Sequence, residues 1–189
     1  VSAASYEQLP AGLPVPEDDG AAAHLPGTAM PSITLPATSG GAVDLARIGR
    51  PRAIVYVYPM TGTPGVPLVE GWDQIPGARG CTPETIGFRD HYQELTELGA
   101  DVFGVSSQDP AEQAEAAARL ALPFPLLSDS GLALAGQLRL PTFTAGGVVR
   151  YKRLTLVLNL GRISRVFYPV FPPDRHAAEV LAWLREHPA

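Results

Sequence analysis

The six residues Ala53-Ile54-Val55-Tyr56-Val57-Tyr58 form a nearly unbroken β-favouring run that stops at Pro59. A strand apolar on both faces has to be covered on both sides, so this run is read as a central strand between layers of helix. Before it, Ile33-Thr34-Leu35-Pro36 and Val43-Asp44-Leu45 flank a Ser39-Gly40-Gly41 turn and read as short strands. After it, Ile86, Phe88, Tyr92, Leu95 and Leu98 recur at helical spacing over 82–98, with Gly99 placed to end that helix. A strand at 101–106, an Ala-rich helix at 110–120, a strand at 124–127 and a short helix at 132–138 follow. The chain closes with strands at 153–159 and 162–170 joined by Leu160-Gly161, and a helix at about 174–187. This β-α-β-α-β-α order, ending in an antiparallel hairpin and a helix, predicts an α/β, thioredoxin-like fold with a central mixed β-sheet flanked by helices.

Two segments stand outside that alternation. Residues 1–30 carry Pro10, Pro14, Pro16 and Pro26, an acidic turn at Glu17-Asp18-Asp19-Gly20 and a run of alanines, and read as an extended N-terminal arm. Residues 31–189 read as one domain. Within it, 59–80 is rich in proline and glycine with Trp72 as its large aromatic, a long loop of the kind that carries function. Trp72 is expected to anchor that loop on the core, the alternative being that it lines a substrate pocket.

The loop delivers the chain to Cys81, the sole cysteine of 189 residues, within Gly80-Cys81-Thr82-Pro83-Glu84. Pro83 suits a first helical turn, and a helix starting there points free N–H groups and a positive dipole end at the sulfur, which favours thiolate. The plainer reading is a small buried hydrophobe. One cysteine excludes an internal disulfide. A net charge of −5 without a Lys/Arg cluster argues against nucleic acid or an anionic membrane surface as partner. No apolar run is long enough to span a bilayer. Val1-Ser2-Ala3-Ala4-Ser5 lacks the basic and apolar regions of a signal peptide, so the cytoplasm is the expected location. His24, His91, His176 and His187 have no metal-site spacing, and neither a metal nor a cofactor is expected.

Several motifs, in one order over roughly 31–186, resemble the peroxiredoxins, in particular the peroxiredoxin Q or bacterioferritin comigratory protein branch. They are Tyr58-Pro59, Thr63-Pro64-Gly65, Cys81-Thr82-Pro83-Glu84, Gly87-Phe88-Arg89-Asp90-His91-Tyr92, Gly104-Val105-Ser106, Phe124-Pro125-Leu126-Leu127-Ser128-Asp129, and Arg153-Leu154-Thr155 with Asn159 and Gly161-Arg162-Ile163. The resemblance implies a thiol-dependent peroxidase in which Cys81 attacks hydrogen peroxide or an organic hydroperoxide. It implies that Arg153 holds the sulfur and a peroxide oxygen, that Thr63 orients the peroxide, and that Pro59 shields the sulfur. Glu84 either holds an arginine or decorates the first helical turn. Without the resemblance, Arg153 reads as a solvated strand-edge charge beside Lys152, and Thr63 and Pro59 as turn residues.

The chain departs from the family pattern twice. Val66 stands where the peroxidatic cysteine should follow Thr63-Pro64-Gly65, and Cys81 comes 15 residues later, so 66–80 reads as an insertion in the catalytic loop. Counting back from Cys81 instead places Ala78 and Gln74 where the family's threonine and proline belong, which leaves Thr82 as a substitute hydroxyl. Ile86 occupies the position, five residues after Cys81, where many of this branch carry a resolving cysteine. A Cys81 sulfenic acid would then need an external thiol, or a thioredoxin- or glutaredoxin-type protein, as reductant. A homodimer is the association that the resemblance suggests. The alternatives are a redox-sensing or binding protein that has lost peroxidase activity, and a thiol reductase or transferase acting on another substrate.

Overall fold

The computed structural model describes residues 6–188; the first five residues of the N-terminal arm, with the Val1 to Ser5 start discussed above, and Ala189 lie outside that range. The two short strands are β1 (Thr34–Pro36) and β2 (Ala42–Asp44), paired antiparallel. The central sheet contains β3 (Arg52–Val57), β4 (Ala100–Ser106), β5 (Leu126–Ser128), β8 (Leu154–Asn159) and β9 (Arg162–Phe167) in the order β5-β4-β3-β8-β9. β3 runs parallel to β4 and antiparallel to β8, which makes the sheet mixed. Every residue of β3 is buried, as expected of a middle strand covered on both faces.

Side chains alternate along a strand, and β3 divides two layers of core accordingly. Ala53, Val55 and Val57 pack with Phe103, Leu156, Leu158 and with Leu134 and Leu138 of α4 (Ala133–Leu138). Ile54, Tyr56 and, just past the strand, Tyr58 pack on the other face with Cys81 and Phe88 of α1 (Cys81–Asp90), Leu95 of α2 (Tyr92–Glu97), Ala116 of α3 (Pro110–Arg119) and Leu181 of α5 (His176–Glu186). Cys81 therefore belongs to the layer floored by the even-numbered residues of β3.

The helix expected over 82–98 is bent into α1 and α2 at His91, whose φ of −94° and ψ of 3° leave the helical region. Leu95 N–H still donates to the His91 carbonyl, so the backbone ladder bridges the bend. Gly99, at φ +78°, ends the second segment in a conformation that favours glycine. A hairpin that the alternation did not single out, β6 (Thr142–Ala145) and β7 (Val148–Tyr151), turns through Gly146 and Gly147, both at positive φ.

Residues 6–30 contain no helix or strand, only turns and a bridge at Ala29, yet they are packed down: Tyr6, Ala22, Leu25 and Met30 are buried. Gly27 N–H donates to the Ile163 carbonyl, Ile163 N–H to that of Thr28 and Met30 N–H to that of Gly161, so the arm covers the open edge of β9. Lys152 and Tyr168 both bond Asp19 further along. Among the described residues no helix is long and apolar enough to cross a membrane.

Candidate active site

Helix α1 begins at Cys81 itself, after Gly80 at φ +104°, and no side chain caps its N-terminus. Its unpaired first-turn N–H groups and the positive end of its dipole lie at the thiol. Cys81 is only 3% exposed. Met60 N–H lies 3.4 Å from Sγ, the thiol can donate to the Ala78 carbonyl at 3.6 Å, and Arg153 Nη2 donates to Sγ at 3.2 Å. Buried Pro59, two residues past β3, directly precedes Met60, whose amide faces the sulfur.

Arg153 immediately precedes β8 and is buried, not a solvated edge charge. Its Nη1 is bonded to Glu84, which lies three residues after Cys81 and so on the same face of α1. Its Nε donates to the Gly77 carbonyl at 3.3 Å, and Nη2 also reaches the carbonyls of Ala78 and Arg79 at 3.3 and 3.2 Å. All three guanidinium nitrogens are engaged, two of them by the end of the 66–80 segment. The Glu84–Arg153 pair is fully removed from water, so each charge depends on the other. Glu84 Oε1 has no hydrogen-bond partner among the described residues.

Three forces act on the thiol. Burial pushes its pKa above the ordinary value, Arg153 pulls it down, and Glu84 pushes it up; the net direction is up. The expectation that helix end and arginine together would leave a depressed thiol is corrected here, because burial among protein atoms removes most of the solvent that would stabilise a thiolate. Burial likewise pushes the Glu84 carboxyl up, against the pull of Arg153 and of His176.

The space above Cys81 is about 10 Å³, with Thr82 in its lining. Thr63 neither bonds the sulfur nor lines that space; its carbonyl accepts Val66 N–H in a turn at the start of the 66–80 segment. The structure thus brings Cys81, Arg153 and Glu84 together, sets Pro59 one residue from the Met60 amide, and keeps Thr63 out of the immediate shell. Trp72 is buried against Phe143 of the β6–β7 hairpin at 5.9 Å between rings, and also walls the cavity. What the sequence could not reveal are the backbone groups of Met60, Gly77, Ala78 and Arg79, since no side-chain type marks them. A larger cavity of about 280 Å³ lies between the arm, Ile75 to Gly77 and Tyr168 to Val170, with Arg153 but not Cys81 in its wall. The four histidines bond carbonyls, carboxylates or a hydroxyl, and no cluster of metal-ligating side chains occurs among the described residues.

The family model for Redoxin matches residues 25–181, a span holding Pro59, Thr63, Cys81, Glu84 and Arg153. The chain belongs to the Redoxin family. Within it the similarity is to peroxiredoxin Q: the chloroplastic peroxiredoxin Q of Oryza sativa subsp. japonica is 32% identical over 84% of this chain and 66% of its own length. That of Populus jackii is 31% identical over 84% of this chain and 67% of its own. The chain thus spans about two thirds of these curated relatives. The crystal structure of peroxidoxin BcpB from Mycobacterium tuberculosis superposes with a TM-score of 0.71 at 27% identity, covering 88% of this chain and 100% of that one. This is a Redoxin-family protein of the peroxiredoxin Q type with a single cysteine, and its thioredoxin-like mixed sheet agrees with the fold read from the sequence.

Proposed function

We propose that this protein is a one-cysteine thiol peroxidase. The observation that carries the reading is Arg153 Nη2 at 3.2 Å from the sulfur of a cysteine that opens a helix. The Cys81 thiolate attacks one peroxide oxygen, an S–O bond forms as the O–O bond breaks, and the departing oxygen takes a proton and leaves as water or an alcohol. Cys81, now a sulfenic acid, has been oxidised by two electrons and the peroxide reduced by two. One external thiol displaces water to give a mixed disulfide, and a second releases Cys81 and leaves as the disulfide of the pair. A small thiol or a thioredoxin- or glutaredoxin-type protein supplies both reducing equivalents, in a reducing compartment such as the cytoplasm. For Arg153 to stabilise charge on the departing oxygen, Nη2 exchanges one loop carbonyl for that oxygen.

The test is peroxide consumption by the wild type and Cys81→Ser with an excess of thiol, with a sulfenic-acid trap read by mass spectrometry. Peroxide loss that depends on Cys81, with the trap on that residue, is expected. Consumption retained by Cys81→Ser overturns the reading. A second reading, a redox-fold protein that binds or senses without turnover, is favoured by one observation: burial pushes the thiol up, away from thiolate. Cys81 oxidised no faster than a free thiol would decide for it.

A further inference from the structure

We propose that the ring of Tyr6 is a size filter over Cys81, which admits hydrogen peroxide and holds back bulky organic hydroperoxides. The substrate half of this inference rests on the peroxidase reading above; the access half does not. The space over the sulfur, about 10 Å³, is the volume that one water-sized molecule needs. Its wall includes Tyr6 from the arm, Gly62 from the loop after β3, and Leu68, Trp72 and Arg79 from residues 66–80. The two segments that lie outside the regular alternation, arm and insertion, therefore close the site together.

Tyr6 is 4% exposed although it belongs to the irregular arm. Its hydroxyl donates to the Val66 carbonyl and the Arg79 guanidinium sits 5.3 Å from its ring centre, so both ends of the insertion hold it in place. The ring lies directly on Gly62: a Cβ there would come within 2.7 Å of Tyr6 Cδ1, so this close approach needs glycine. Leu9 makes a comparable approach to Gly80, beside the sulfur. Trp72 is fixed from behind by Phe143, whereas Tyr6 rests on Gly62, Val66 and Arg79 and belongs to none of the apolar clusters of the core among the described residues. Tyr6 is thus the part of the wall whose removal enlarges the opening without dismantling the core. A bulkier hydroperoxide must displace this ring before its oxygen can meet Sγ.

The experiment compares full-length wild type, Tyr6→Ala and Tyr6→Phe by two ratios. One is the rate constant of Cys81 oxidation by cumene hydroperoxide over that by hydrogen peroxide. The other is the rate of Cys81 labelling by a bulky aromatic maleimide over that by iodoacetamide. Both ratios are expected to rise about tenfold or more in Tyr6→Ala, the order of discrimination an apolar wall supplies, and to stay near wild type in Tyr6→Phe, which keeps the ring. Unchanged ratios in Tyr6→Ala, or a wild-type labelling ratio equal to that of a free thiol such as glutathione with the same two reagents, overturn the filter. If no peroxide oxidises Cys81 in any variant, the peroxidase reading fails, and the labelling ratio still decides whether Tyr6 controls access.

Discussion

Arg153 Nη2 lies 3.2 Å from Cys81 Sγ while Nη1 of the same guanidinium is bonded to buried Glu84, so one cation serves two acids on one helical turn. Removing that cation separates the roles. In Arg153→Met the pull that lowers the Cys81 thiol is lost, its pKa rises, and the rate of peroxide oxidation is expected to fall by about 10²–10³-fold, the usual effect of deleting one preorganised donor. The variant also strands a buried carboxylate, at a cost of about 3–5 kcal/mol in urea unfolding. Adding Glu84→Gln should recover much of that stability but, by lifting the carboxylate's repulsion of the thiol, only a small part of the rate. Full recovery of the rate would show that Arg153 acts only by keeping α1 in place.

Glu84→Gln alone tests the opposite sign. Glu84 pushes the thiol up through charge repulsion, so its neutralisation is expected to lower the Cys81 pKa and move the pH–rate profile for alkylation to lower pH. Stability responds as well. Because burial holds the Glu84 carboxyl above its ordinary pKa, its contribution is greatest below that ordinary value and is lost as pH rises through the folded-state value. The glutamine variant should flatten that part of the stability curve. A profile displaced to higher pH would mean that Glu84 serves chiefly to aim Arg153.

What could be read from the chain divides along physical lines. The run Ala53 to Tyr58 announced a middle strand because both of its faces are apolar, and Cys81 announced a helix start through its proline and glycine neighbours. The bend at His91 was hidden because the apolar spacing of Phe88, Tyr92 and Leu95 continues through it. The β6–β7 hairpin carried its signal in Gly146-Gly147, a pair suited to two successive positive φ angles. At the site, residue types pointed to Cys81, Arg153 and Glu84, which do meet. The Arg153-binding carbonyls of Gly77, Ala78 and Arg79 could not be read, because any residue supplies a carbonyl and only the path of the loop aims it. Tyr6 was equally silent: its role depends on an arm folding back 75 positions ahead of Cys81 in sequence.

Gly80 joins the arm, the 66–80 segment and α1. Its φ is +104°, and a Cβ there would lie 2.4 Å from Pro173 Cγ and 2.7 Å from Leu9 Cδ2. Gly80→Ala is therefore expected to cost about 1–3 kcal/mol through backbone strain alone. The substitution should also push Leu9 away from the helix start, so iodoacetamide should label Cys81 faster than in the wild type. Loss of stability with no change in labelling would place the strain on the Pro173 side.

Gly104 offers the corresponding test from beneath the site. It lies in β4 opposite Tyr56 of β3, and a Cβ there would come within 2.6 Å of Tyr56 Cζ, Tyr56 Oη and Leu126 Cδ2. Tyr56 cannot yield freely: its ring stacks on Phe88 of α1 at 4.4 Å between centres, and its hydroxyl donates to Thr85 Oγ1 on the same helix at 3.3 Å. Overpacking of this kind costs about 1–3 kcal/mol. Gly104→Ala is expected to show that loss in urea unfolding. Because the displaced ring bears on the helix that begins with Cys81, Cys81 oxidation by hydrogen peroxide should slow under conditions where the variant is still fully folded. A stability loss with an unaltered oxidation rate would mean that Leu126 absorbs the added methyl group and that the floor of the site is mechanically separate from its catalytic end.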